Sequence, residues 1–159
     1  MLIVAALGLL AALTFLFGLA GGERGGGMTT VTDASGRAMV VLEQGQGGHY
    51  FAEGTVNGQA VNFLVDTGAT DVAISEREAR RLGLDFGPKV TVMTAAGPAQ
   101  AWVTRLDRVE VGGLVVRDVR ASIAPGLGDQ ALLGMSFLRH FSLRQEAGRL
   151  IIAPPGGAS

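Results

Sequence analysis

A chain of 159 residues, 48% of them apolar and with a net charge of −1, has the length of one domain and enough apolar side chains to fill its core. It lacks any lysine and arginine cluster that would suit nucleic acid or an anionic membrane surface. The absence of cysteine excludes disulfides, thiolate catalysis and Cys-ligated zinc, and the two histidines, His49 and His140, have no metal-ligand spacing, so neither a metal nor another cofactor is expected.

In chain order, residues 1–20, MLIVAALGLLAALTFLFGLA, come first and carry no charged side chain. At about 1.5 Å per residue such a helix spans roughly 30 Å, the thickness of a bilayer core. A transmembrane anchor is therefore expected. A cleaved signal peptide is the alternative, since Gly18-Leu19-Ala20 is a small-x-small site, but the usual basic residues before the apolar run are missing. Residues 21–27, GGERGGG, read as a flexible linker, and the folded domain is expected over residues 28–159. The charges flanking the apolar run, Glu23 and Arg24, are too few to orient it.

The rest reads as short strands separated by turn signals. Residues 50–56 and 60–65 flank Asn57-Gly58, the signature of a hairpin with a type I′ turn. Val72-Ala73-Ile74 is a short strand, and Ser75 with Glu78 forms an S-x-x-E capping box for a helix that Gly83 would end. Residues 89–94 and 99–104 flank Ala95-Ala96-Gly97-Pro98, a second hairpin. Gly112-Gly113 separates a short strand at 109–111 from one at 114–124. In the latter Val115, Val119, Ala121 and Ile123 are expected on one face, with Asp118, Arg120 and Ser122 on the other. A loop at 125–130, an apolar strand at 131–134, a helical turn at 135–140 and two strands meeting at Ala147-Gly148 follow. The fold class is all-β, a barrel or sandwich with one or two short helices.

Residues 63–75 read FLVDTGATDVAIS and place a carboxylate, Asp66, between an apolar strand and a glycine turn. An Asx turn accounts for Asp-Thr-Gly on its own. The context is more specific: Phe63-Leu64-Val65 precede the motif, Ala69 and Val72-Ala73-Ile74 follow it, and Leu132-Leu133-Gly134 recurs downstream before a short helix. Together these resemble the retroviral-type (retropepsin-like) aspartic proteases, and in particular their bacterial membrane-anchored single-domain relatives, which carry a Leu-Leu-Gly-Met-Ser-Phe-Leu run. Residues 132–138 read LLGMSFL.

The resemblance covers residues 48–153 and implies a single-lobe acid protease barrel. It implies that Asp66 is the catalytic aspartate, that Thr67 bonds across a dimer axis, that Gly68 offers its carbonyl to substrate and that Ala69 keeps the cleft floor narrow. Leu132, Leu133 and Gly134 would form the loop beneath the catalytic turn. The hairpin at 91–103, with Ala95, Ala96 and Gly97 at its tip, would be the flap over an extended peptide. Trp102 in that hairpin is either a subsite residue or, more commonly for an aromatic there, packing. Thr70 and Met135 stand where retroviral enzymes carry an acid and an arginine that pair, and Asp71 is left as a polar contact or a solvated loop residue.

Hydrolysis by this route uses two carboxylates sharing a proton. The chain has no second D-[ST]-G, so the second aspartate is expected from another copy. The expected partners are therefore a homodimer mate, a protein or peptide substrate and, through residues 1–20, the membrane, with no nucleic acid. By resemblance the site is the bacterial inner membrane, single-pass, with the catalytic domain in the periplasm. The alternatives are a catalytically silent module that dimerises or binds peptides, and a tethered scaffold domain.

Overall fold

Turn residues and strand-forming runs alternate along this chain, and glycine turns at Gly58, Gly112-Gly113 and Gly148 close hairpins. The computed structural model describes residues 26–94 and 97–156. The expected membrane segment, most of the linker at 21–27, and Ala95 and Ala96 lie outside the described residues. Among the described residues no helix is long and apolar enough to cross a membrane.

The strands are β1 (Met28–Thr32), β2 (Ala38–Glu43), β3 (Phe51–Val56), β4 (Gln59–Val65), β5 (Val72–Ser75), β6 (Lys89–Thr94), β7 (Gly97–Val111), β8 (Leu114–Ala124), β9 (Ala131–Leu133), β10 (Ser142–Glu146) and β11 (Arg149–Ala153). Two short helices, α1 (Glu76–Arg81) and α2 (Met135–Leu138), interrupt them. Seven strands form one sheet in the order β3-β4-β9-β5-β8-β7-β6, which a β3–β7 pairing closes into a barrel. Gly54 makes the closure possible, because a Cβ there would sit 2.4 Å from the Glu110 carbonyl oxygen. The other four strands form a second sheet, β1-β2-β11-β10. Its inner residues Val40, Leu42, Leu150 and Ile152 join Val56, Phe63, Ile74 and Leu106 in the main core.

Local chemistry accounts for the ends of the elements. Asn57 and Gly58 take φ of 50° and 82°, as a type I′ turn requires, and the Asn57 side chain accepts the Arg108 N–H at 3.0 Å. Ser75 Oγ accepts the Glu78 N–H at 3.2 Å and so caps α1, while the Glu78 carboxylate turns to Arg81. Gly83, at φ 68°, ends the helix in a Schellman motif, its N–H on Arg80 O and that of Leu84 on Ala79 O.

Three expectations need correction. First, β7 is a single 15-residue strand rather than two segments. Second, Thr94 pairs with Gly97 and Met93 with Pro98, so Gly97 and Pro98 belong to β7 and the hairpin loop is shorter than expected. Third, Val115 is on the exposed face at 38%, whereas Val116 is buried. Leu106 pairs with Val119 and Arg108 with Arg117, and between these pairs stand Asp107 and Asp118, where both strands change the face they bury. Asp118 has φ 54°, and Arg105 grips its carboxylate at 2.6 and 2.9 Å. A continuous period of two cannot follow a strand through such a kink.

Candidate active site

β4 runs parallel to β9, with Phe63, Leu64 and Val65 opposite Ala131, Leu132 and Leu133. The pairing continues one step further, since the Asp66 N–H donates to Leu133 O at 3.1 Å. The chain then turns sharply: Asp66 O accepts the Ala69 N–H at 3.2 Å, and Asp66 Oδ1 accepts the Gly68 N–H at 2.9 Å. A Cβ on Gly68 would stand 3.2 Å from Oδ1, a tight approach. The Asp66 residue is only 7% exposed, and its other oxygen, Oδ2, is buried without a hydrogen-bond partner among the described residues. Thr67 and Gly68 are exposed beside it, and Ala69 is buried beneath.

The loop ahead of α2 holds this turn from below. Leu132 and Leu133 are fully buried, and Gly134 lies so close to the turn that a Cβ would fall 2.1 Å from Asp71 O and 2.9 Å from Ala69 O. Gly134 is thus required by close approach, not by a left-handed backbone. The first amides of α2 then grip the turn: Met135 N–H donates to Ala69 O at 2.8 Å and Ser136 N–H to Thr70 O at 2.9 Å. Ser136 Oγ accepts the Val72 N–H at 2.9 Å and donates to Arg120 O at 2.7 Å.

Asp71 is not a solvated loop residue. Its carboxylate accepts from Arg120 Nε at 3.1 Å, and its partial burial pushes its pKa above the ordinary carboxylate value although Arg120 and Arg139 pull it back. The sequence reading missed both Arg120 and Ser136. The alternation places Arg120 on the face opposite Val119 and Ala121, and nothing in a period-two pattern reveals a partner on another loop. Ser136 stood inside the LLGMSFL run, where one hydroxyl amid apolar residues was the available signal.

The β6–β7 hairpin covers the same region. Val92 and Ala101, with Val90 and Ala99 at their margins, cluster with Leu64, Ala69 and Leu132. Gly97 begins the returning arm at φ 109°. Trp102 packs instead with the main core, its ring edge-on to Phe86 at 5.3 Å between centroids. It is a packing residue, as an aromatic in such an arm commonly is.

The turn, its supporting loop and its covering hairpin therefore fall within one stretch of chain, and a family model described as gag-polyprotein putative aspartyl protease matches residues 52–140. The chain belongs to the retropepsin-like aspartic protease family. The match runs from β3 to just past α2, so it includes every element that builds the Asp66 turn. This family member is 40% identical over 124 residues to an uncharacterised protein in the cobV 5′ region of a Sinorhizobium species, covering 76% of this chain and 53% of that one. It is 31% identical over 105 residues to the uncharacterised protein RP867 of Rickettsia prowazekii, covering 64% and 45%. The chain thus spans about half the length of these curated relatives. Its fold is similar to the crystal structure of a retropepsin-like aspartic protease from Rickettsia conorii, with a TM-score of 0.60 and 26% identity over 79% of this chain and 94% of that one.

Proposed function

We propose that this protein is an aspartic endopeptidase whose active site forms when two copies bring their Asp66 carboxylates together on a two-fold axis. The observation that carries this reading is the unpartnered, buried Oδ2 of Asp66. A buried carboxylate oxygen left without a donor is costly, and an Asx turn needs only the Oδ1 bond that Asp66 already makes to Gly68. A second carboxylate holding one shared proton supplies the missing donor. The chain has no other D-[ST]-G from which to draw it, so the donor comes from a second copy.

In that arrangement one carboxylate takes a proton from a water as the water attacks the scissile carbonyl, and the protonated partner donates to the carbonyl oxygen. Thr67, exposed beside Asp66, bonds across the axis to the partner's turn. Gly68 receives the substrate backbone through its carbonyl, Ala69 forms the narrow floor, and the β6–β7 hairpin with Ala95, Ala96 and Gly97 closes over the peptide. Leu132, Leu133 and Gly134 support the turn. No cofactor enters the reaction. The reaction needs one proton held between the two carboxylates, so activity belongs to acid and mildly acidic solution. Residues 1–20 anchor the chain in a bacterial inner membrane with the domain on the periplasmic side, and confinement there raises the effective concentration of partners. A silent peptide-binding module would have no use for a carboxylate that is costly to bury.

The test is digestion of a denatured protein by the full chain in detergent, from about pH 4 to pH 7, beside its Asp66→Asn variant. Cleavage that vanishes in the variant supports the assignment. Equal cleavage by both, or none by a wild type that sediments as a dimer, contradicts it.

A further inference from the structure

The turn that presents Asp66 is held at its far end by a residue from the neighbouring strand. β5 begins at Val72 and lies parallel to β8, with Val72 opposite Ala121. Arg120, one position earlier on β8, reaches the turn twice. Its carbonyl accepts from Ser136 Oγ, which in turn accepts the Val72 N–H, and its guanidinium donates to Asp71 Oδ2. The Asp71 peptide is the one on which Gly134 packs. A pull on Asp71 therefore passes directly to the contact between the supporting loop and the turn.

We infer that the Arg120–Asp71 pair is a positioning device for the Asp66 turn, fixing the end of residues 66–72 against β8 so that the two carboxylates of the dimer meet in register. This rests on the protease reading above. The backbone contact through Ser136 does not depend on the Arg120 side chain, but the guanidinium–carboxylate contact does, and it ties the Asp71 side chain to β8. Stability alone does not account for it. Arg120 is well exposed, a partly exposed pair contributes little, and burial disfavours the charge on Asp71 more than its arginines favour it. The position, five residues from Asp66 and across from the packed Gly134, is where a small displacement reaches the reacting atoms.

Arg120→Met, Asp71→Asn and the double variant of the full chain in detergent test this by steady-state cleavage of a peptide, thermal unfolding and amide hydrogen exchange over residues 66–72. The expected result is a fall in kcat of about tenfold to a hundredfold in each single variant with KM nearly unchanged, and a double variant no worse than either single. Exchange at residues 69–72 should quicken while the unfolding temperature at neutral pH stays put. Unchanged kcat and unchanged exchange would overturn the inference. So would a double variant whose loss is the product of the singles, or a loss of kcat that follows the unfolding temperature. If the wild type cleaves nothing the protease reading falls, and exchange alone decides: faster exchange in the variants supports the clamp, and unchanged exchange removes it.

Discussion

At the scale of single residues, two positions around the turn carry more than their size suggests. Gly134 leaves no room for a methyl group, its Cβ position lying 2.1 Å from Asp71 O against a backbone that α2 also holds. Gly134→Ala should therefore cost at least about 1–3 kcal/mol, the range for overpacking a filled site, read as a lower urea midpoint at unchanged slope. Ser136 satisfies the buried Val72 N–H and the part-buried Arg120 carbonyl with one hydroxyl and is itself 4% exposed. Ser136→Ala leaves the Val72 N–H and the Arg120 carbonyl without that partner, and a loss of about 1–3 kcal/mol is expected in the same denaturant experiment. Asp66 differs in kind. Asp66→Asn keeps an acceptor for the Gly68 N–H, so the variant should fold about as well as the wild type while losing cleavage.

At the scale of elements, the β7–β8 ribbon offers the clearest check on the fold. Because both strands change buried face across Asp107 and Asp118, Val115 points outward and Val116 inward. Val115→Thr should fall within about 0.5 kcal/mol of the wild type. Val116→Thr buries a hydroxyl and should cost about 1–3 kcal/mol. Equal losses, measured by urea unfolding, would mean the kink is misplaced. The same ribbon marks the limit of what the sequence could tell. Asn57-Gly58, the Ser75 cap and Gly83 were legible because each acts through its own backbone within a few residues. The Asp66 turn and Leu132-Leu133-Gly134 were legible as a motif. The kink was not, since it needs two strands to change phase together and its Asp118 has no local signature of left-handed backbone. Nor was the Arg120–Asp71 pair, which joins groups that only the parallel β5–β8 pairing brings together.

At the scale of the whole molecule, the carboxylates divide by the sign of their response to pH. Asp33, Glu78 and Asp118 are held below their ordinary pKa, Asp33 chiefly by the Arg37 backbone N–H and the other two chiefly by bonds from Arg81 and Arg105. Their stabilisation is present above the unfolded-state values and is lost as pH falls through the folded ones. Asp71 has the opposite sign. Its pKa is raised, so the fold binds its proton more readily than the unfolded chain does, and its contribution is greatest in acid and declines as pH rises through the folded value. Asp71→Asn removes that term, so the variant should lose more unfolding temperature than the wild type on acidification from about pH 7 to pH 4. A smaller loss in the variant would contradict the sign.

In the proposed reading, assembly completes the site. The Thr67–Gly68 turn is exposed beside Asp66, and in the arrangement proposed above it is the surface that faces a second copy. The direct test is to co-refold wild-type and Asp66→Asn full-length chains in equal amounts and measure cleavage at constant total protein. If each site needs an Asp66 from both copies, activity falls to about one quarter of the all-wild-type value, the share of dimers with two intact carboxylates. Activity of about one half would mean that each chain works alone, and the shared dyad would be wrong.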